Sequence, residues 1–305
     1  MTMFRKTINV LYRMGLLRHY EAIDNFRYLK RLAKAHESHD GRYFNNKDKA
    51  QYSEASSVLV RFAFRGQHCL VRCSPKMHLE AGLLRDSARA MSLPEIISDH
   101  LRAGIFIDVG ANVGLISIPI AKAFPQVTVV AFEPNPPAVE RMKLNMQLNL
   151  LTNIELRAQG VGESEGELDL YGFDGKDIGQ SSFIEPLLYD DAFYKIKVPV
   201  VRLDEVMQDA DKPVEAIKID VQGFELAVLK GAKNVVNKYR PAILLEHEDK
   251  NFSTAASAFQ AKQSLKDYFA DVRYDVFYVS RKDPNLLFPV RWDCTLNGDL
   301  LAIPA

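Results

Sequence analysis

The chain has 305 residues, 39 basic against 39 acidic side chains, and 47% hydrophobic residues, enough length and apolar content for a full globular core. The zero net charge argues against general nucleic-acid binding, which depends on clustered positive charge. Three cysteines, Cys69, Cys73 and Cys294, give no disulfide framework, and no run approaches the ~20 apolar residues of a membrane helix.

Residues 1–50 read as mostly helical. Arg5, Lys6 and Arg13 interrupt the stretch from Met1 to Leu17, so it lacks the unbroken apolar segment of a signal peptide. A cytoplasmic location is therefore expected. Arg18, Arg27, Lys30, Arg31 and Lys34 continue the basic bias, while Ile23, Phe26, Leu29 and Leu32 recur at helical spacing. Two readings fit: a cap helix with one face on the domain, or a basic amphipathic helix against an anionic membrane surface or a partner.

Val58 to Phe64 and His68 to Arg72 read as strands joined at Arg65-Gly66-Gln67, a hairpin with glycine in its turn. Cys69 and Cys73 would share one strand face ~13 Å apart, too far to bond. Residues 79–103 look helical, with Pro94 opening the last helix. Residues 1–100 thus form a helical and hairpin extension ahead of a main domain over 101–305.

From residue 104 strands and helices alternate: strands near 105–109, 127–132, 154–158, 214–219 and 242–246, and helices over 114–124, 136–148, 224–238 and 255–269. Short extended runs fall at 168–171 and 197–200. Strands at 272–279 and 299–303 would pair antiparallel at a sheet edge. This alternation predicts an α/β, Rossmann-like sheet, mostly parallel, with crossover helices.

The most informative segment is Ile107-Asp108-Val109-Gly110-Ala111-Asn112-Val113-Gly114. It reads as a strand end, a glycine turn and a helix start, the build of a nucleotide-type cradle. Its Gly-x-x-x-Gly spacing is not the dinucleotide Gly-x-Gly-x-x-Gly. Asp108, sitting in the turn itself, would repel a pyrophosphate and welcome a cationic ligand. S-adenosylmethionine carries an ammonium and a sulfonium and no phosphate. The next strand ends in Glu133-Pro134, 25 residues after Asp108, close to the ~20 expected for an acid on a ribose.

A second constellation follows the strand Glu215 to Ile219, which ends in Asp220 and turns at Val221-Gln222-Gly223. The next strand ends in Glu246-His247-Glu248. Asp108 and Asp220 would face one crevice at the carboxyl ends of the strands. Two chemistries stay open at this rim. Asp220 or His247 takes a proton from a substrate hydroxyl, or Asp220 and Glu246 hold a divalent cation such as Mg²⁺ that acidifies it. Glu225 reads equally as a site residue and as favourable charge in a helix's first turn.

The blocks Phe106 to Gly114, Phe132-Glu133-Pro134, Arg202-Leu203-Asp204, and Ile217 to Glu225 with Val228-Leu229-Lys230-Gly231-Ala232, in this order, resemble the FkbM-type methyltransferases over roughly 104–248. The resemblance implies a class I Rossmann-like enzyme that uses S-adenosylmethionine to methylate a hydroxyl of a sugar, glycolipid, polysaccharide or natural-product scaffold. Asp108, Gly110, Ala111, Asn112 and Gly114 would then line the methionine end of the cofactor, Glu133 and Pro134 the ribose, and Asp220 the reacting centre. Many members carry Glu where this chain has Gln222, so that position offers one charge fewer to a metal. A long insert over 174–196 reads equally as a lid over the acceptor and as a surface excursion. Two rival readings remain: a nicotinamide-dependent Rossmann oxidoreductase, and a non-catalytic membrane-peripheral protein that retains a cofactor fold.

Overall fold

The structure, a computed structural model, describes residues 58–74, 80, 83, 90–173, 181–184, 193–280 and 286–305. The expected helices of residues 1–50, the basic amphipathic stretch and most of the proposed lid lie outside the described residues.

Strands β1 (Val58–Phe64) and β2 (Gln67–Cys73) form the expected hairpin. Its two-residue turn, Arg65-Gly66, has φ of 44° and 76°, the double positive φ that matches strand twist in tight hairpins. Helix α1 (Ser92–Ser98) leads to β3 (Ile105–Val109), α2 (Ser117–Ala123), β4 (Thr128–Phe132), α3 (Pro136–Leu148) and β5 (Ile154–Arg157). Then come β6 (Gly160–Val161), β7 (Gly166–Phe173), β8 (Phe193–Val201), α4 (Leu203–Val206) and β9 (Val214–Ile219). The chain ends with α5 (Glu225–Gly231), α6 (Lys233–Tyr239), β10 (Ala242–Glu248), a 3₁₀ turn at Asp249–Asn251, α7 (Ala255–Asp271), β11 (Tyr274–Val279), β12 (Leu287–Pro289) and β13 (Asn297–Pro304).

Eight strands form the central sheet in the order β12-β11-β13-β10-β9-β3-β4-β5. The run from β10 to β5 is parallel, and β13 pairs antiparallel with both β10 and β11. From β3 the chain steps outward through β4 to β5, then returns to lay β9 on the other side of β3. The order reverses at β3/β9, so the connections leave their carboxyl ends in opposite directions and open a crevice between them. A separate small sheet, β6-β8-β7, is inserted between β5 and α4. This is the expected Rossmann-like α/β sheet, mostly parallel with an antiparallel edge.

Alternation along the strands makes two cores. Phe106, Val129, Ala131, Ala216 and Leu244 face the hairpin, α2 and α3. Ile107, Val109, Val130, Ile217, Ile219 and Leu245 face α4 to α7. The hairpin is tied to the first layer by two asparagines of the α3 region that imitate a neighbouring strand. Leu70 N donates to Asn149 Oδ1 at 2.8 Å, and Asn149 Nδ2 donates back to Leu70 O at 2.6 Å. Arg72 N donates to Asn145 Oδ1 at 2.8 Å, while Asn145 Nδ2 donates to Val113 O in the glycine turn at 2.9 Å.

The structure departs from the sequence reading in four places. Helix α2 starts at Ser117 rather than 114, because Asn112 and Gly114 take φ of 51° and 88°. The single helix expected over 224–238 is broken at Ala232. Just before the break, Gly231 abuts the backbone of Gly162, where a Cβ would stand 1.9 Å from Gly162 O. The short β6 was not expected. At the sheet edge β11 and β13 do pair antiparallel, but β13 lies inboard of β11, and β12 adds an outermost strand.

Replacing Asn149 by Leu should destabilise the protein by about 2–4 kcal/mol, because the Leu70 amide and carbonyl both lose their partner in a part-buried place. Urea unfolding that gives less than about 0.5 kcal/mol would show that the hairpin is not held this way.

Candidate active site

At the carboxyl ends of β3, β4 and β9 lies a cleft of about 540 Å³, open to solvent. It is lined by Val109, Gly110 and Asn112 on one side, Glu133 and Pro134 on another, and Asp220 and Val221 opposite. Its outer wall comes from Gln159 to Val161 and Ser181 to Phe183. Two carboxylates line it, and no Lys or Arg does so among the described residues.

The glycine turn has little freedom to be anything else. A Cβ on Gly110 would stand 1.9 Å from Asp220 O, and the residue holds φ of 75°. The two strand ends therefore touch through backbone, and only glycine permits it. Gly114, at φ of 88°, packs on Ile118 and Met142. Asn112 holds φ of 51°, and its buried Oδ1 has no partner among the described residues.

Asp108 is fully buried, beneath the turn rather than in the cleft lining. Ser117 Oγ donates to its Oδ2 at 2.6 Å, and Lys218 Nζ lies 3.2 Å from its Oδ1, an ion pair without hydrogen-bond alignment. Lys218 is the residue that reading the sequence missed. Only 5% exposed, it donates to Gly110 O at 2.7 Å and also lies 3.7 Å from Asp220 Oδ2. Burial pulls its ammonium down, but the charges of Asp108 and Asp220 outweigh this and leave it above the ordinary lysine range. A signal was present in the sequence: a lysine flanked by isoleucines inside a core strand must be paired.

Glu133 ends β4 and is 6% exposed. Asn112 N donates to its Oε2 at 2.7 Å and Asn135 N to its Oε1 at 2.9 Å. Burial raises its carboxyl to about 7 against those two amide bonds. Asn135 continues the rim: its Nδ2 donates to Ser181 Oγ at 2.8 Å, and Tyr194 OH donates to its Oδ1 at 2.6 Å. On the far rim Ser182 Oγ donates to Gln222 O at 2.9 Å. Residues 181–184 thus run between the turns that follow β4 and β9. Of the insert expected over 174–196, these residues and 193–196 are described, and 193–196 belong to strand β8 rather than to a lid.

Around Asp220 the structure brings together most of the second constellation. Gln222 Nε2 donates to Asp220 Oδ1 at 2.9 Å and to Glu246 Oε2 at 3.1 Å. Among the described residues no group of three or more His, Cys, Asp or Glu is placed to hold a metal ion.

His247, the expected alternative base, is not brought to Asp220. Successive residues of β10 face opposite sides, so with Glu246 turned toward Gln222, His247 points away from the cleft. It is 1% exposed and packs on Phe252, with Nε2 3.4 Å from Asp249 Oδ1. Burial keeps its imidazole below the usual histidine range. Glu225 is also buried and outside the cleft lining, and its Oε1 accepts from Gly223 N at 2.8 Å. Its carboxylate braces the turn that carries Gln222. Of the expected cofactor residues, Gly110, Asn112, Glu133 and Pro134 line the cleft, while Asp108, Ala111 and Gly114 shape the turn behind it.

The methyltransferase FkbM domain matches residues 108–274, more than half of the chain. The methyltransferase sdnD of Sordaria araneosa is 30% identical in an alignment of 207 positions that covers 52% of this chain and 80% of that one. The hexuronic acid methyltransferase AglP of Haloferax volcanii is 29% identical over 147 residues, 46% of this chain and 54% of its own. A solved FkbM methyltransferase from Methylobacillus flagellatus aligns at 18% identity and a TM-score of 0.43, over 67% of this chain and 45% of that one. The chain therefore spans about four-fifths of the first of these relatives and about half of the other two. It belongs to the FkbM-domain methyltransferases and is an enzyme of the methyltransferase type.

Proposed function

We propose that the chain is an S-adenosylmethionine-dependent O-methyltransferase acting on a hydroxyl of a sugar or natural-product acceptor. The observation that carries the cofactor assignment is the charge of the cleft: two carboxylates, Glu133 and Asp220, and no lining cation among the described residues. A dinucleotide would bring two negatively charged phosphates beside these two acids, which disfavours the oxidoreductase reading. A nucleoside with a sulfonium and an ammonium suits it. The cradle also fits in detail: Gly110 lets a ligand lie on the backbone, and the buried Asn112 Oδ1 has an acceptor site to spare.

In this reading Glu133 accepts both ribose hydroxyls, using lone pairs left over from its two amide bonds. Gly110 and Asn112 hold the amino-acid end, and Ser181 to Phe183 shield the cleft from water. The bound cofactor supplies a methyl group on a sulfonium. Asp220 accepts the hydrogen bond of the acceptor hydroxyl, orients its oxygen and takes up its proton. A sugar acceptor is favoured because AglP, 29% identical over 147 residues, is named for a hexuronic acid. Residues 1–100 are assigned to an extension that helps select the acceptor.

Calorimetry should give micromolar affinity for S-adenosylmethionine and none for NAD. Glu133→Ala should weaken the former at least ~100-fold, from the loss of two hydrogen bonds to a charged group at about 1.5–3 kcal/mol each. The pH dependence has a definite sign. The Glu133 carboxyl lies at about 7 in the folded protein, and the charged form is the better acceptor. Affinity should therefore rise as pH increases through about 7 and flatten above it; a profile flat from pH 5.5 to 8.5 contradicts this role. With tritiated methyl donor and a panel of hexoses and uronic acids, Asp220→Asn should keep cofactor affinity within about threefold and lose at least ~100-fold in turnover. Wild-type turnover in that variant would remove Asp220 from the reaction.

A further inference from the structure

The reading above uses Asp220 but leaves unexplained why a second acid, Glu246, stands beside it. Two carboxylates converging in a part-buried place repel each other unless something positive, or a shared donor, lies between them. In many enzymes that something is a divalent ion held by carboxylate oxygens. Here the place is filled by a side-chain amide. Gln222 Nε2 sits 2.9 Å from Asp220 Oδ1 and 3.1 Å from Glu246 Oε2 and donates to both. An amide nitrogen has two N–H donors, so this arrangement uses both.

The backbone is bent to put the amide there. Gln222 holds φ of 53° and Gly223 φ of 101°, conformations that a plain strand-to-helix connection does not need. The turn is braced on three sides. Glu225 Oε1 accepts from Gly223 N at 2.8 Å, Ser182 Oγ donates to Gln222 O at 2.9 Å, and Ile184 packs on Gly223. Positive charge is supplied separately by Lys218, whose ammonium lies 3.7 Å from Asp220 Oδ2, on the oxygen that Gln222 leaves free. Both oxygens of Asp220 are therefore fixed by residues of the chain itself.

We infer that Gln222 is a positioning residue: its amide occupies the place between Asp220 and Glu246 that a divalent cation would otherwise take, and it sets the orientation of Asp220 without a metal. The inference rests on the proposed role of Asp220 only for its catalytic meaning; the occupancy claim stands on the geometry alone.

The test uses Mn²⁺ as the probe, read by electron paramagnetic resonance on the full-length chain. The wild type should leave the spectrum of the free aqueous ion at up to about 1 mM, the weak end of oxygen-ligand sites. Gln222→Glu places a third carboxylate there and should bind Mn²⁺ at least tenfold more tightly than wild type. Gln222→Ala vacates the place and should show a smaller gain in the same direction; it also serves should three acids prevent Gln222→Glu from folding, which thermal melting reports. A role in packing alone changes the melting temperature of both variants and leaves the Mn²⁺ signal untouched. Wild-type binding as tight as that of the variants, or folded variants that bind no better than wild type, overturns the inference. Neither result depends on turnover, so failure here is separate from failure of Asp220→Asn to lose activity.

Discussion

The site depends on one buried ammonium. Lys218 comes from the middle of the switch-point strand β9 and lies between Asp108, at the end of β3, and Asp220, just past the end of β9. It also donates to Gly110 O in the cofactor turn. Burying a lone charge costs several kcal/mol, and a charge of opposite sign in good geometry offsets it. Removing Lys218 would leave the fully buried Asp108 without this charge, and removing Asp108 would leave the buried ammonium to the partly exposed Asp220. The constraint therefore runs from the strands to the turn: the carboxyl ends of β3 and β9 are locked in register, with Gly110 in backbone contact with Asp220.

That lock explains the charge of the cleft. Lys218 points its charge under the turn, where it pairs with Asp108 and reaches Asp220 from behind, so the cleft lining itself carries Glu133 and Asp220 and no cation among the described residues. Asp108, neutralised from below, fixes Ser117 at the start of α2, and the helix start in turn fixes the turn. Glu133 remains the acid with no ion partner at the cleft, which is why burial raises its carboxyl so far. A ligand bringing hydroxyl donors to Glu133 would favour its charged form, coupling binding to proton release.

Much of this was legible from the chain alone. The strand ends at Val109, Phe132 and Ile219 are marked by apolar runs closing on an acid or a turn, because a buried parallel strand carries a charge only where it is paired, as at Asp108 and Lys218. Asn112 and Glu133 followed from the glycine spacing and from the distance to the next strand end. What was not legible came from tertiary packing. The amide of Asn135 and the hydroxyl of Tyr194 matter because of partners far along the chain, and no local pattern marks them. His247 misled for a simple reason: its place at a strand end was right, but the two-residue period gives the cleft face to Glu246. Lys218 lay in plain view, as a charge inside an isoleucine pair.

The central claim is that the cleft holds the methyl donor with its ribose on Glu133 and its sulfur toward Asp220. The most direct measurement is a crystal structure of the full chain with S-adenosylhomocysteine. The account predicts both ribose hydroxyls within hydrogen-bond distance of the Glu133 carboxylate, the amino-acid end over Gly110 and Asn112, and the sulfur facing the Asp220 side. Electron density for the nucleoside elsewhere, or a ribose that leaves Glu133 uncontacted, would contradict it.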